Sequence, residues 1–301
     1  MNRATAFAPG SIGNVGPGFD VLGLAVEGIG DRVTVELTKR ESRIERITGR
    51  DAELVPRDAA KNCAAIAANA YLQPFGFRAI VSIEKGLALA GGMGGSAASS
   101  VAGAYAAGLA LGASPTVRDV LAAALEGEAA VAGRHLDNIA PSVVGGLALS
   151  RSTDPIDVVK LPVKSDWWIA LVTPNVRIRT KEARELLSET CARGVWIQQM
   201  ANTVALAHAF ASGDGDLLRR ALDDRYAEPA RATLIPHFYE MKEAALAAGA
   251  FGCSISGSGP TLFAVAPDEP AARACAAAMS IGDVAGTHVG PIAREGVRGE
   301  R

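Results

Sequence analysis

A run of glycines and hydroxyls, Gly91-Gly92-Met93-Gly94-Gly95-Ser96-Ala97-Ala98-Ser99-Ser100, limits this chain more than any other feature. It stands between residues 78–84, which alternate like a strand, and an Ala-rich run over residues 96–111 that predicts a helix. Glycine lets backbone take positive φ and approach a ligand closely. The first turn of the helix leaves N–H groups without intrahelical partners, and with the helix dipole these favour an anion, phosphate above all. The run is not a Walker A loop, because no Gly-Lys-Ser/Thr follows it, and its spacing does not fit a dinucleotide fingerprint. Taken alone it is as consistent with a structural turn as with a phosphate loop.

At 301 residues the chain is long enough for two ordinary domains, with the boundary expected near Pro162, giving 1–162 and 163–301. A formal net charge of −2 with no basic block predicts no nucleic-acid surface and no anionic membrane partner. Cys63, Cys191, Cys253 and Cys275 are scattered without a Cys-x-x-Cys pair, so they read as reduced thiols of a cytoplasmic protein. No apolar run reaches membrane-spanning length, and no signal-like leader opens the chain.

Strands are expected at residues 4–8, breaking at Pro9-Gly10, then at 21–26 and 32–37 as a pair, at 78–84, at 145–149 with its opening glycine pair included, and at 168–172, 252–256, 262–266 and 284–288. Helices are expected at 61–72, 96–111, 116–131, 181–188, 197–212, 216–222, 235–248 and 270–280. Strands and helices mix without a regular βαβ repeat, which predicts an α+β fold rather than a doubly wound sheet. The tail over residues 294–301 is expected to fray.

Two further glycine segments stand far from the first: Asn14-Val-Gly-Pro-Gly-Phe-Asp20 and Ser256-Gly-Ser-Gly-Pro260. Their order and content resemble the three motifs of the GHMP small-molecule kinases. Asn14–Asp20 and the stretch Arg134-His135-Leu136-Asp137-Asn138 are similar to the homoserine kinases of that family. The resemblance spans nearly the whole chain. It implies a two-domain α+β GHMP kinase fold, with an N-terminal ATP-binding layer like the second domain of ribosomal protein S5 and a C-terminal ferredoxin-like layer. It also implies ATP, Mg²⁺ and L-homoserine as ligands, a side-chain hydroxyl phosphorylated in threonine biosynthesis, and a homodimer.

Carried over position by position, the resemblance sets Asn14, Asp20, His135, Asp137, Thr180, Arg184, Arg231 and Gly259 around the amino-acid substrate. A carboxylate such as Asp20 suits an ammonium group, and the planar fork of arginine suits an α-carboxylate. His135, Asn138 and Arg184 are the residues implied in catalysis, with Asn138 holding the attacking hydroxyl. Mevalonate-type relatives place an Asp base where Asn138 stands, and an amide cannot take the proton at neutral pH. Positioning and charge stabilisation would then carry the transfer.

ATP is assigned to Gly91, Gly92, Met93, Gly94, Gly95, Ser96, Ala97 and Ser99, with Asn62 near the adenine. Mg²⁺ needs few protein oxygens, and Ser96 with Glu128, or else with Glu126, is the candidate set. The loop departs from the family pattern: its proline is missing, Met93 stands for Leu, and Gly95 stands where the first serine usually is. The alternatives left open are a GHMP kinase for a mevalonate-type or sugar substrate, and a non-catalytic protein of the same fold.

Overall fold

The computed structural model describes residues 2–300, and it forms two sheets. The first opens with β1 (Arg3–Gly13) and β2 (Leu22–Thr38). Two of the expected breaks are absent. β1 continues through Pro9-Gly10, where the pairing register with β2 shifts, so the proline and glycine bend the strand without ending it. Residues 21–26 and 32–37 do not pair with each other. They are two parts of β2, the first facing β5 and the second facing β4.

β3 (Arg43–Gly49) is followed by α1 (Cys63–Leu72), β4 (Arg78–Lys85), α2 (Gly95–Ala110), α3 (Val117–Ala129) and the short α4 (Ile139–Val144), and β5 (Leu147–Thr153) and β6 (Ile156–Leu161) then form a hairpin. The sheet order is β11-β1-β2-β4-β3, with β5 on the other part of β2, and only the β3–β4 pair is parallel. Gly145 and Gly146, expected within a strand, both have positive φ and form the turn that enters β5. The core beneath this sheet is built largely of alanine, which lets helices approach closely. A Cβ at Gly103 of α2 would fall 2.5 Å from the carbonyl oxygen of Ala64 in α1. Thr116 caps α3 by accepting from the Asp119 N–H at 3.2 Å, an interaction worth about 1 kcal/mol.

The second half comprises β7 (Trp168–Pro174), α5 (Thr180–Glu185), α6 (Arg193–Ser212), α7 (Gly215–Ala221), α8 (Glu228–Arg231), α9 (Phe238–Ala247), β8 (Gly252–Ile255), β9 (Leu262–Ala266), α10 (Glu269–Ala278) and β10 (Val284–Pro291). Its four antiparallel strands run in the order β10-β7-β9-β8, with α9 and α10 packed on them through Phe238, Met241, Cys275 and Met279. The α+β expectation holds. The fraying expectation does not: β11 (Arg298–Glu300) returns to the first sheet and pairs with residues 5–7 of β1. Arg32, through Glu300, and Arg298, through Glu27 and the Phe7 ring, fasten it there.

Candidate active site

Residues 86–94 carry the chain from β4 to α2, and glycine is demanded at two points. Gly94 immediately precedes α2 at φ +63°, and a Cβ there would lie 2.5 Å from Ser11 Oγ and 2.7 Å from Asn138 Oδ1. Gly92, at φ +78°, would drive a Cβ to 2.6 Å from the Ser256 carbonyl. The loop is thus clamped on two sides. The Ser11 N–H donates to Met93 O at 3.2 Å, Ser256 Oγ donates to Gly92 O at 2.6 Å, and Thr261 Oγ1 donates to Gly91 O. The first helical bond of α2 runs from the Ala98 N–H to Gly94 O, so the N–H groups of Gly95, Ser96 and Ala97 have no intrahelical partner. This is an anion cradle made of backbone.

Beneath it lies a buried ion pair that the sequence did not signal. Lys85 contacts Asp31 and donates to Gly95 O at 3.1 Å and Ser99 Oγ at 3.0 Å. Asp31 also accepts from the N–H groups of Gly86 at 3.0 Å and Leu87 at 3.2 Å. The pair therefore ties the entry of the glycine loop to the first turn of α2. With both charges buried, losing one partner alone would strand the other, which costs about 3–5 kcal/mol.

Charged side chains gather at the other end of the same cleft. Asn14, Val15 and Asp20 all have positive φ, a rare state for a β-branched residue and one that marks an over-determined loop. Asn14 receives the Asp20 N–H on Oδ1 and donates to Gly257 O, each at 3.0 Å. Arg184, on α5, grips Asp20 with two nitrogens at 2.8 and 3.0 Å, and this pairing holds the guanidinium above its ordinary pKa. Arg231 donates to Gly257 O at 2.9 Å, and burial lowers its pKa. Both guanidinium groups lie over the Phe19 ring. His135 stands 3.8 Å from Asp20, yet burial outweighs that carboxylate and lowers the ring below its usual pKa. The neutral form of the ring is thereby favoured.

Asn138 sits between the two ends, its Oδ1 accepting from Ser11 Oγ at 3.0 Å and its amide donating to Asp137 Oδ2 at 3.4 Å. Burial, reinforced by Asp20, pushes the Asp137 carboxyl up to about 7. Glu128 is also pushed up to about 7 by burial, and Ser96 offsets this only in part. Its Oε2 is buried and has no hydrogen-bond partner among the described residues. A carboxylate oxygen so placed beside a hydroxyl suits a hard divalent cation whose other ligands are phosphate and water.

These groups line one cleft. Asn14, Asp20, His135, Asp137, Asn138, Thr180, Arg184 and Arg231 face it together with Gly91, Gly92, Gly94, Gly95, Ser96 and Glu128. Other expected residues do not line it. Met93, Ala97 and Ser99 are packed behind or beneath the loop, and Gly259 lies in the turn against which Gly92 rests. Asn62 is buried as the N-cap of α1, accepting from the Ala65 N–H at 3.2 Å and donating to Pro56 O at 2.9 Å. Glu126 is turned away and pairs with Arg134 at 3.0 Å on the surface. Gly257, of the quoted glycine turn, lines the cleft, and Ser258 and Ala132 line it without having been singled out.

The description "GHMP kinases N terminal domain" matches residues 58–146, and "GHMP kinases C terminal" matches residues 206–282. Homoserine kinase of Chloroherpeton thalassium is 39% identical over 293 residues, covering 93% of this chain and 92% of that one. The chain belongs to the GHMP kinase family, within its homoserine kinase group. The homoserine kinase of Chlorobium phaeobacteroides strain BS1 is 38% identical over 295 residues, covering 93% of this chain and 91% of its own. The crystal structure of homoserine kinase from Cytophaga hutchinsonii superposes with a TM-score of 0.93 at 40% identity, covering 100% of this chain and 98% of that one.

Proposed function

We infer that the chain is an ATP-dependent kinase that phosphorylates the side-chain hydroxyl of L-homoserine, giving O-phospho-L-homoserine for threonine synthesis. One observation carries this: a backbone anion cradle and a charged amino-acid pocket open into one cleft with Asn138 between them. Kinship with homoserine kinases over nearly the full length supports the same substrate.

In this proposal the phosphates of ATP lie on the N–H groups that open α2, and Asp20, Arg184, Arg231, His135 and Thr180 bind the amino acid. The substrate α-carboxylate competes with Asp20 for Arg184, so binding loosens that pair and frees Asp20 for the ammonium group. Asn138 positions the hydroxyl oxygen in line with the γ-phosphorus. The oxygen–phosphorus bond forms as the bond to the β-phosphate oxygen breaks, and the hydroxyl proton leaves to phosphate oxygen or solvent. No side chain is required as base, because a loose transition state is served by alignment and charge stabilisation. Ser96 and Glu128 would hold Mg²⁺, which neutralises phosphate charge when bound.

Residues 1–162 then form the nucleotide half and 163–301 the half that closes the substrate end. The enzyme is proposed to work in the cytoplasm as a homodimer, and no described helix is long and apolar enough to cross a membrane. The test is ADP release coupled to NADH oxidation, with ATP, Mg²⁺ and a panel of homoserine, mevalonate and sugars. Homoserine-dependent turnover is expected, and its absence alongside turnover of another panel member would overturn the assignment.

A further inference from the structure

Two chain segments that carry charge at the amino-acid end are the loop of residues 14–20, with Asp20, and the turn of residues 224–231, with Arg231. They are joined at two places. At the cleft both reach one carbonyl, Gly257 O, which accepts from Asn14 Nδ2 at 3.0 Å and from Arg231 Nη1 at 2.9 Å. The second join is made by α6, none of which lines the cleft, and it runs through a single side chain. Gln199 Nε2 donates to Pro17 O at 2.9 Å and to Asp224 Oδ1 at 2.8 Å, while Gln199 Oε1 accepts the Arg225 N–H at 2.9 Å. Three of the four hydrogen bonds this amide can make are thus committed to the two segments.

Asp224 is buried, and a buried carboxylate is costly unless donors surround it. Besides Gln199 it accepts three consecutive backbone N–H groups, from Tyr226 at 2.8 Å, Ala227 at 3.0 Å and Glu228 at 3.0 Å. Those three bonds fix the turn that presents Arg231. Burial and the neighbouring Arg184 lower the Arg231 pKa, and Asp224 leads the groups that raise it, so the same carboxylate also serves as counter-charge to this guanidinium. Capping the turn accounts for the bonds to residues 226–228. It does not account for the bond to Gln199, which reaches past the turn to the segment that carries Asp20. The two segments also touch through Phe19 and Tyr226, whose rings meet edge to face with centroids 5.2 Å apart. A ligand held by Asp20 at one point and by arginine at another needs those groups at a fixed separation, and small errors in such a separation are expensive in binding and rate.

We propose that Gln199 is a positioning residue for the amino-acid end of the cleft, its amide setting the separation of Asp20 and Arg231 by joining Pro17 O to Asp224. This rests on the reading of that end as a homoserine pocket. Gln199→Met keeps an unbranched, helix-forming side chain and removes the join alone, because Pro17 O retains Thr203 Oγ1 at 2.9 Å and Asp224 retains its three backbone donors. Gln199→Lys has a side chain of similar shape but returns N–H donors for both acceptors. ADP release by the full chain is measured with homoserine varied at saturating ATP and with ATP varied at saturating homoserine, and melting temperatures are recorded alongside. In Gln199→Met, KM for homoserine should rise about tenfold, the worth of one hydrogen bond to a charged group, with KM for ATP and the melting temperature unchanged. Gln199→Lys should bring KM for homoserine back toward the wild-type value. An unchanged KM for homoserine in Gln199→Met, an equal rise in both KM values, or a Gln199→Lys no better than Gln199→Met overturns the positioning role while the homoserine reading stands. A wild type that turns over another member of the substrate panel and not homoserine overturns both.

Discussion

The two ends of the cleft are built to recognise the proposed ligands by opposite means. At the glycine loop the donors are backbone N–H groups whose direction is fixed by Gly92 and Gly94, and the side chains that matter lie behind the loop. At the other end the proposed amino-acid pocket is made of the side chains Asp20, Arg184, Arg231 and His135, with Asp20 paired to Arg184 and 3.8 Å from His135. Backbone recognition fails when the chain path changes, whereas side-chain recognition fails when a charge is removed or a proton moves. The two ends therefore differ in what breaks them.

The largest effect is expected from Gly94→Ala. A positive φ of +63° and two polar contacts inside normal van der Waals range force the loop to shift. Misplacement of this kind costs roughly 100-fold in kcat/KM. Stopped assays varying ATP would check this, and a loss below tenfold would show that the loop tolerates another path. Arg184→Lys comes next: the ammonium keeps the charge but loses the two-pronged grip on a carboxylate, and KM for homoserine should rise about 30-fold, or about 2 kcal/mol. KM for ATP should scarcely move, and an equal rise in both would erase the division between the two ends.

A proton separates them next. Glu128 has a folded pKa of about 7 against an ordinary 4.5, so the native state holds a proton that the unfolded chain releases. Its contribution to stability is full below pH 4.5 and is lost as pH rises through about 7. In metal-free buffer, melting scans should therefore show Glu128→Gln gaining on the wild type as pH rises, by on the order of 3 kcal/mol. Millimolar Mg²⁺ should close that gap at the upper pH. A difference that stays constant with pH would remove Glu128 from the cation site. The smallest effect belongs to Gly95→Ser, where a Cβ meets Ala88 O at 3.4 Å and Lys85 Nζ at 3.6 Å, both ordinary contacts. The added hydroxyl should lower KM for ATP about twofold, the worth of a modest hydrogen bond. An increase would mean that the loop has already adapted to glycine.

How far the sequence went follows the same divide. The glycine loop was legible because strand, glycines, hydroxyls and helix are consecutive, and chemistry that is local in sequence is local in space. That Glu128 rather than Glu126 faces the cleft depended on the rotation of α3, which motif spacing did not settle. The Asp20–Arg184 pair spans 164 positions and the Asp31–Lys85 pair 54, and no periodicity carries such information. Asn62 carried a motif resemblance, yet its side chain is committed to capping α1. Residues 298–300 look like a frayed tail because three residues hold too little pattern to announce a strand, and only the open edge of β1 gives them a place.

That last strand sets a condition on how the molecule is made. β1 pairs at its edge with residues 298–300, which follow every other strand and helix described, so the first sheet stays open along β1 until they are added. An open strand edge is a template for pairing with a neighbouring chain. A chain stopped before residue 298 would lose the guard on β1, and the expected result is clumping of nascent enzyme rather than a slightly shorter one.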